Sequence, residues 1–296
     1  MKRRFHKIAV LKGGPSAERE VSLASGGAIA AALRGLGYAV AEVDVTGTEV
    51  NLPTDCEAVF IALHGTFGED GELQAMLEQR GIPFTGAGSA ASRAAFDKAE
   101  SKRIFERSGI STARYEILTQ GKPRTLDLPV VVKPLRQGSS VGLSRVFEES
   151  QWQPALDAAF AFGPEVMVES FIAGAELTVG IVGDQVLPVI EIRAPDGCYD
   201  YRAKYTKGMT EYHVPAPLEP EQTRACQQLA WNTYVALGCR GMGRVDIRMT
   251  PDGRAYVLEL NTIPGFTETS LLPKAARAAG LEFGVLCEMI LNLVEC

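Results

Sequence analysis

Residues 244–261 read RVDIRMTPDGRAYVLELN, and this stretch indicates the fold more clearly than any other part of the chain. Apolar and polar residues alternate on both sides of Asp252-Gly253, a pattern typical of a β-hairpin with a tight turn. With Asp252 and Gly253 as the two turn residues, Asp246 lies directly opposite Glu259. A four-residue loop gives the same pairing, whereas a three-residue turn would disturb it.

The predicted hairpin has one polar face, because the same pairing places Arg244 opposite Asn261. The residues expected on its other face are Val245, Ile247, Leu258 and Leu260. Two carboxylates directly opposite each other repel unless a cation lies between them. Magnesium takes oxygen ligands in octahedral geometry, so the pattern predicts a magnesium site formed by Asp246, Glu259 and Asn261. A solvated face with scattered charges is the alternative.

A second stretch, residues 128–142, reads LPVVVKPLRQGSSVG and places a glycine and serine loop after an apolar strand that ends in Lys133. Backbone N–H groups and hydroxyls in such a loop can bind phosphate oxygens, and the lysine adds a positive charge. Neither a GxxxxGK[ST] motif nor a GxGxxG motif is present in order. Alone, this loop is weak evidence for a nucleotide site.

Composition excludes several classes of protein. The 296 residues are 46% hydrophobic, enough for two or three packed lobes, and the net charge of −6 argues against a nucleic-acid partner. We expect neither a signal peptide nor a membrane span, since no stretch approaches roughly 18 apolar residues, and therefore a cytoplasmic protein. The six cysteines form no C-x-x-C pair and only three histidines exist, so metal chemistry must use oxygen ligands.

Strand and helix signals alternate along the first part of the chain, which predicts an α/β fold with a parallel sheet. The expected N-terminal α/β lobe, 1–90, ends with a short strand at Ile82 to Thr85. A middle lobe, 91–172, is expected to begin with one helix from Ala90 to Ser108 that carries Lys98. The remainder, 173–296, forms a C-terminal lobe with a loop at 198–213.

Several ordered motifs make the chain resemble the ATP-grasp enzymes, and among them the D-alanine–D-alanine ligases. Besides the hairpin and the 128–142 stretch, the motifs are GGPSAEREVS at 13–22, HGTFGEDG at 64–71, YDYRAKY at 199–205 and NTIPGFT at 261–267. The resemblance covers essentially the whole chain and implies an ATP-grasp fold with a Rossmann-like parallel-sheet lobe at the N-terminus. Pro15, Ile263 and a short 118–128 connection depart modestly from the family pattern.

The resemblance implies that ATP lies between the middle and C-terminal lobes. For the nucleotide it implies Lys98 and Lys133 at the phosphates, Ser139, Ser140 and Lys204 in the loops over it, Glu169 at the adenine amino group, the Phe171 and Ile172 backbone at the ring edge, and Glu176 at the ribose. Asp246, Glu259 and Asn261 would hold two Mg²⁺ or Mn²⁺ ions.

The implied reaction joins two D-alanines in peptidoglycan precursor synthesis. The first carboxylate attacks the γ-phosphate to give an acyl phosphate, and the second amine then displaces phosphate. For the substrates the resemblance implies Glu18 at the first ammonium, His64 near its carboxylate, Ser270 and Leu271 at the second carboxylate, and Arg244 with the Gly265 N–H at the oxyanion. Glu18, Ser139 and Tyr205 would tie the loops, with the 198–213 segment as a lid, and a homodimer is implied.

Three alternatives stay open from the sequence. A D-alanine–D-lactate ligase differs in the lid, and Lys204-Tyr205 favours the dipeptide product. A non-catalytic ATP-binding regulatory module would be favoured by loss of Arg244, Asp246, Glu259 or Asn261, all of which are present. A Rossmann oxidoreductase would need the glycine fingerprint, which the N-terminal lobe lacks.

Overall fold

The computed structural model describes residues 4–197, 199, 203, 204, 206 and 208–295, and its strands form three sheets. In chain order the strands are β1 (Lys7–Gly13), β2 (Ala39–Val45), β3 (Ala58–Ile61), β4 (Tyr115–Thr119), β5 (Val130–Pro134), β6 (Ser144–Val146), β7 (Glu165–Ser170), β8 (Ala175–Val182), β9 (Gln185–Val186), β10 (Ile190–Arg193), β11 (Glu211–His213), β12 (Met242–Met249) and β13 (Ala255–Asn261). The helices are α1 (Arg19–Gly35), α2 (Glu72–Gln79), α3 (Ser89–Phe96), α4 (Lys98–Arg107), α5 (Trp152–Phe160), α6 (Pro220–Ala236), α7 (Leu271–Ala278) and α8 (Phe283–Asn292).

The N-terminal sheet has the order β2-β1-β3 with both pairings parallel, which confirms the expected parallel sheet. Buried apolar residues of β1 and β3 form its core together with residues of α1, and C-terminal α8 packs against α1. Tyr38 Oη donates to Glu288 Oε1 over 2.7 Å across that contact. The strand expected at Ile82 to Thr85 is reduced to a single bridge between Val59 and Phe84.

The other two sheets are antiparallel. The middle sheet has the order β4-β7-β5-β6 and packs against α5 through Ala155 and Ala159. The larger sheet runs β11-β10-β8-β12-β13, with β9 paired to β8, and is covered by α6. Strand β11 lies inside the stretch 198–213 that was expected to be entirely loop, so that expectation is wrong for its last three residues.

The single helix expected from Ala90 to Ser108 is two helices, because Asp97 adopts an extended conformation between α3 and α4. Its carboxylate accepts hydrogen bonds from Ala99 N (3.0 Å) and Glu100 N (3.1 Å) and so caps α4. Aspartate favours this position because its short side chain satisfies the N–H groups of the first turn. The cap makes Lys98 the first residue of α4.

The hairpin turn contains three residues, not two, so the prediction of Asp252 and Gly253 as the only turn residues is wrong. Thr250 N donates to Arg254 O over 2.9 Å, and Gly253 has a φ of +84°. This left-handed residue after a tight turn is typical of a three-residue hairpin loop. An uninterrupted ladder from this turn would place Leu258 opposite Asp246.

A β-bulge restores the predicted pairing at the functional end of the hairpin. Ile247 pairs with Val257, and the next pair is Asp246 with Glu259, so Leu258 is an extra residue on β13. Arg244 pairs with Asn261, as predicted. The expected position of Leu258 on the apolar face is wrong, since Val257 is the residue that packs in the core and Leu258 lines a cleft on the other side.

Gly174 connects β7 of the middle sheet to β8 of the larger sheet, and its backbone packs closely against Met249 of β12. Its φ is +136°, and an added Cβ would collide with Met249 O and lie 2.8 Å from Met249 C. We expect Gly174→Ala to lower the free energy of unfolding by at least about 3 kcal/mol. Urea unfolding followed by circular dichroism measures the loss.

The matched control is Gly121→Ala, which has a φ of +81° but nothing within 4 Å of the added Cβ. It should cost only the left-handed strain, about 1–2 kcal/mol. An equal decrease in the free energy of unfolding for the two variants would mean that the collision with β12 does not destabilise the fold.

Candidate active site

A cleft of about 980 Å³, open to solvent, lies between the middle sheet and the larger sheet. Lys133 from β5 and Glu169 from β7 line one wall, and Asp246 and Glu259 from β12 and β13 line the other. Apolar side chains between the two walls are Val131, Leu143, Phe171, Ile172 and Leu258. An apolar slot with charged groups at its margins fits a planar base attached to a charged tail.

Glu169 lies at one end of the cleft and is 3% exposed. Its two carboxylate oxygens form ion pairs with Lys102 and Lys133. Burial alone would raise the pKa of Glu169, but the two ammonium groups lower it to about 2. Glu169 is therefore an ionised hydrogen-bond acceptor at neutral pH.

The backbone that follows β7 is partly engaged within the protein. Phe171 N donates to Pro129 O over 3.0 Å, so the N–H group of Phe171 already has a partner, while the residue and its neighbour Ile172 line the cleft. The Phe171 ring also packs edge-on against Phe147, with ring centroids 5.1 Å apart. Together these contacts fix the chain where the resemblance expects the edge of the base.

Glu176, expected at the ribose, pairs with Arg248 over 2.6 Å across the β8 and β12 ladder. Burial raises the pKa of Glu176, and Arg248 opposes that shift. Arg248 also donates to Gly174 O and Gly197 O, each over 3.0 Å. Arg248 thus connects the Glu176 carboxylate to the backbone at Gly174 and Gly197.

Asp246, on the wall opposite Glu169, is held by four donor atoms. Arg244 binds both of its oxygens, with Nε–Oδ1 at 2.9 Å and Nη2–Oδ2 at 2.8 Å. Thr178 Oγ1 donates to Oδ1 over 2.6 Å, and Asn261 Nδ2 donates to Oδ2 over 3.2 Å. The three residues expected at the metal site therefore lie together, with Asp246 bonded to Asn261 and paired across the ladder with Glu259.

Glu259 is surrounded by cations. Lys98 Nζ is 3.5 Å from Glu259 Oε2 and also donates to Gln137 O over 2.7 Å. Burial alone would raise the pKa of Glu259, but Lys98, Lys204, Lys133 and Arg244 lower it to about 2. An ionised carboxylate is the form that binds magnesium, so the donor set of two carboxylates and an amide fits a hard divalent cation. Within the described part of the chain, no group of three or more His, Cys, Asp or Glu side chains could hold a metal ion.

The glycine and serine loop closes over the cleft from the middle lobe. Ser139 Oγ donates to Glu18 Oε1, and Ser139 and Ser140 both have positive φ, +50° and +59°. Ser140 Oγ lies 3.2 Å from Lys204 Nζ, which donates to it. The structure thus brings together two of the three predicted loop-tying residues, while Tyr205 lies outside the described residues.

The residues expected at the amino-acid substrates lie outside the lining of this cleft. His64 is 4% exposed, with Nδ1 3.0 Å from Ile263 O and Nε2 3.2 Å from Ser25 Oγ. Burial lowers the pKa of His64, which favours the neutral ring. As placed here, His64 holds the loop that carries Gly265.

Ser270 immediately precedes α7, and Leu271 is the buried first residue of that helix. Ser270 Oγ accepts from Thr267 N over 3.0 Å and would lie only 3.3 Å from a Cβ added at Gly265. Glycine at 265 therefore allows the loop to approach the helix N-terminus, where N–H groups favour an anionic ligand.

Sequence reasoning assigned no role to Lys102, Thr178, Arg248 or Glu69. Arg248 follows Asp246 by two residues on β12, so strand alternation could have placed it on the cleft face. Lys102 follows Lys98 by four residues on α4, so helical spacing could have paired the two. Thr178 is brought to Asp246 by the β8 and β12 register, which no local pattern specifies.

Glu69, in the HGTFGEDG motif, lies beside Glu18. Its Oε2 accepts from Gly65 N over 2.7 Å. Burial, reinforced by the negative charges of Glu18 and Glu259, raises the pKa of Glu69 to about 8. At neutral pH this carboxyl group therefore carries a proton, which allows it to lie near the ionised groups of the cleft.

Comparisons with known proteins show which family the chain resembles. A model described as the D-ala D-ala ligase C-terminus matches residues 101–292, and one described as the D-ala D-ala ligase N-terminus matches residues 41–87. The D-alanine–D-alanine ligase of Methylacidiphilum infernorum is 48% identical over 286 residues, 97% of this chain and 94% of that protein.

Solved structures give the same relationship. The D-alanine–D-alanine ligase from Bacillus anthracis complexed with ATP superimposes with a TM-score of 0.86 at 32% identity and covers 97% of both chains. VanG D-Ala:D-Ser ligase from Enterococcus faecalis has a TM-score of 0.86 at 29% identity and covers 98% of this chain and 99% of its own.

The raised pKa of Glu69 predicts a pH-dependent stability. Between the ordinary pKa of 4.5 and the folded value of about 8, the folded protein holds a proton that the unfolded chain releases. The stabilisation is complete below the unfolded pKa and is lost as pH rises through the folded one, with a slope of up to about 1.4 kcal/mol per pH unit.

We expect Glu69→Gln, which keeps an acceptor for Gly65 N, to remove this slope. Urea unfolding of the wild type and the variant at pH 5.5, 6.5 and 7.5 isolates the contribution of Glu69. The exposed neighbour Glu72 serves as the control, and Glu72→Gln should keep the wild-type slope. Parallel curves for wild type and Glu69→Gln would contradict the assignment.

Proposed function

The chain belongs to the D-alanine–D-alanine ligase family, and on that premise we propose that it joins two D-alanines to D-alanyl-D-alanine with conversion of ATP to ADP and phosphate. The observation that carries the proposal is the bulged β12–β13 hairpin, which gathers Arg244, Asp246, Glu259 and Asn261 beside a cleft that Asp246 and Glu259 line. The cleft also contains the lysines and the glycine-serine loop that a phosphoryl transfer requires. The product is a precursor for peptidoglycan.

We propose that the adenine lies in the apolar slot, with its amino group at Glu169 and its ring edge against the backbone of residues 171–172. The ribose hydroxyls then lie at Glu176, and the phosphates extend towards Lys98 and Lys133. Support comes from the shared lining of the cleft, which includes Lys98, Lys133, Glu169, Phe171, Ile172 and Glu176, and from the ionised carboxylate of Glu169.

Asp246, Glu259 and Asn261 fit two Mg²⁺ or Mn²⁺ ions, which we propose they hold when the nucleotide is bound. When bound, such ions neutralise charge on the phosphates and orient the γ-phosphate for attack. The protein's contribution is a preformed oxygen donor set, fixed by Thr178 and by the ladder register.

For the amino acids we propose that Glu18 binds the ammonium of the first D-alanine and that the N-terminus of α7 with Ser270 and Leu271 binds the second carboxylate. Attack of the first carboxylate on the γ-phosphate gives an acyl phosphate and releases ADP. Attack by the second amine then gives a tetrahedral intermediate, which loses phosphate and the amine proton to form the peptide bond. Arg244 and the Gly265 N–H would stabilise the oxyanion of that intermediate. His64 supports this arrangement by holding the loop at Ile263 O.

The division into three lobes at 1–90, 91–172 and 173–296 is likewise a proposal, supported by the fact that each sheet takes its strands from one contiguous part of the chain. No helix within the described residues is long and apolar enough to cross a membrane. A cytoplasmic location and a homodimer remain predictions, and light scattering of the purified protein tests the latter.

Phosphate release from ATP with D-alanine and magnesium, with the product identified by mass, tests the function directly. We expect phosphate in equal amount to D-alanyl-D-alanine. Parallel reactions contain L-alanine, or D-alanine with D-lactate or D-serine as second substrate. Formation of a depsipeptide or a D-alanyl-D-serine product in preference to the dipeptide would move the assignment to another ligase, and ATP binding without turnover would favour a regulatory module.

Glu259→Gln should lower kcat at least about 100-fold, because it removes one anionic oxygen from the proposed metal site. Its fold should stay intact, as measured by circular dichroism and thermal unfolding. The control Glu165→Gln removes an exposed carboxylate from β7 and should leave kcat unchanged. Wild-type turnover by a folded Glu259→Gln enzyme would refute the metal assignment.

Arg244→Ala should slow peptide formation more than it weakens ATP binding, since oxyanion donors act in the transition state. We expect kcat to fall about 100-fold while the dissociation constant for ATP changes less than about threefold. Arg254→Ala, on the exposed end of the same hairpin, is the control. A variant with unchanged kcat would exclude the oxyanion role.

A further inference from the structure

Helix α4 presents two lysines one turn apart along the cleft. Lys98, at the first position, contacts Glu259 at the phosphate end, and Lys102 contacts Glu169 at the base end. Residues four apart lie on the same helix face, separated by about 5–6 Å. The cap at Asp97 fixes where the helix starts and therefore where both ammonium groups lie.

Lys102 does not line the cleft, because Glu169 separates it from the open space. Its side chain is 2% exposed, and the partners of its ammonium group belong to the middle lobe. It pairs with Glu169 Oε1 on β7, donates to Thr112 Oγ1, and lies 5.6 Å from the centre of the Tyr115 ring. Thr112 Oγ1 in turn donates to Val257 O over 2.7 Å, next to the bulge in β13.

Lys133 is the other partner of Glu169, but its position in the cleft wall suits contact with phosphate. A lysine that binds phosphate must give up part of its interaction with Glu169. If Lys133 were the only counter-ion of Glu169, the carboxylate would then take up a proton or move, because a buried charge without a partner is costly. Lys102, which faces away from the cleft, can stay bound to Glu169 in both states.

We infer that Lys102 is a positioning residue that holds the Glu169 carboxylate as an acceptor and thereby makes the site select a purine that carries an amino group at position 6. An ionised acceptor favours the N–H donors of adenine and disfavours the carbonyl oxygen that hypoxanthine or guanine presents there. The inference rests on the proposed placement of adenine at Glu169.

Binding of ATP and of inosine triphosphate, which differ at that position, tests the inference. Titration calorimetry with Mg²⁺ and no amino acid measures both affinities without turnover. We expect the wild type to prefer ATP, and Lys102→Met to reduce the ratio of the two affinities about tenfold, equivalent to about 1.4 kcal/mol. Arg103→Met removes the neighbouring, exposed cation of α4 and should leave the ratio within twofold of the wild type.

A double-mutant cycle of Lys102 and Glu169 distinguishes a positioning role of Lys102 from a general loss of nucleotide affinity. Glu169→Gln should abolish the discrimination by itself, because an amide can donate or accept, and Lys102→Met should add nothing further in that background. A structural role of Lys102 alone would lower both affinities equally and leave the ratio unchanged. Such a result, or a further loss in the double variant, would overturn the inference.

Thr112→Val provides a second route if Lys102→Met fails to fold. This near-isosteric change removes the hydroxyl that anchors Lys102 and keeps every charge, so the ratio should fall about threefold. An unchanged ratio would count against the inference. The test is independent of catalysis: a protein that discriminates between the nucleotides but forms no dipeptide would refute the proposed ligase activity and leave the role of Lys102 standing.

Discussion

Compensation of buried negative charge is the constraint on which this structure depends. Glu169, Asp246 and Glu259 all lie in or beside one cleft, where a carboxylate without a partner would cost several kcal/mol. Each has at least one cationic partner: Glu169 pairs with Lys102 and Lys133, Asp246 with Arg244 of the same strand, and Glu259 with Lys98. These pairs connect α4, the middle sheet and the larger sheet, so the charges that form the site also hold its walls in place.

The constraint explains why local features of the backbone occur where they do. The bulge at Leu258 keeps Glu259 on the cleft face after a turn that would otherwise reverse it, and the same bulge turns Leu258 into part of the apolar slot. The break at Asp97 starts α4 at Lys98, so both lysines of its inner face point to carboxylates. A shift of one residue in either feature would bury a charge without its partner.

The sequence predicted the parallel sheet, the hairpin and the clustering of Asp246, Glu259 and Asn261 because each depends on local alternation or on residues that are near in sequence. It could not predict the three-residue turn or the bulge. The turn shifts the pairing of β12 and β13 by one residue and the bulge shifts it back, so Asp246 faces Glu259 as it would after a two-residue turn. The break at Asp97 was missed because helical spacing of apolar residues continues through it. The break depends on the side chain of Asp97, which caps α4 instead of continuing α3. Thr178 and Lys102 depend on sheet register and on packing between lobes, which a linear pattern does not contain. Ala95, Phe105 and Ile110 show the same limit: they lie near the middle sheet in sequence but pack in the core of the larger sheet.

The way the charges are paired has a consequence for how the proposed substrates enter. The lysines expected at the phosphates are bound to protein carboxylates, so a triphosphate placed as proposed would draw Lys98 away from Glu259 and Lys133 away from Glu169. On this proposal, nucleotide binding would make Glu259 a better ligand for a divalent cation than it is while it faces Lys98. The same exchange does not disturb Glu169 to the same degree, because Lys102 lies behind it and outside the cleft. The proposed site would thus release one carboxylate for metal binding and retain the other as a fixed acceptor, although both begin as buried, ionised glutamates with lysine partners.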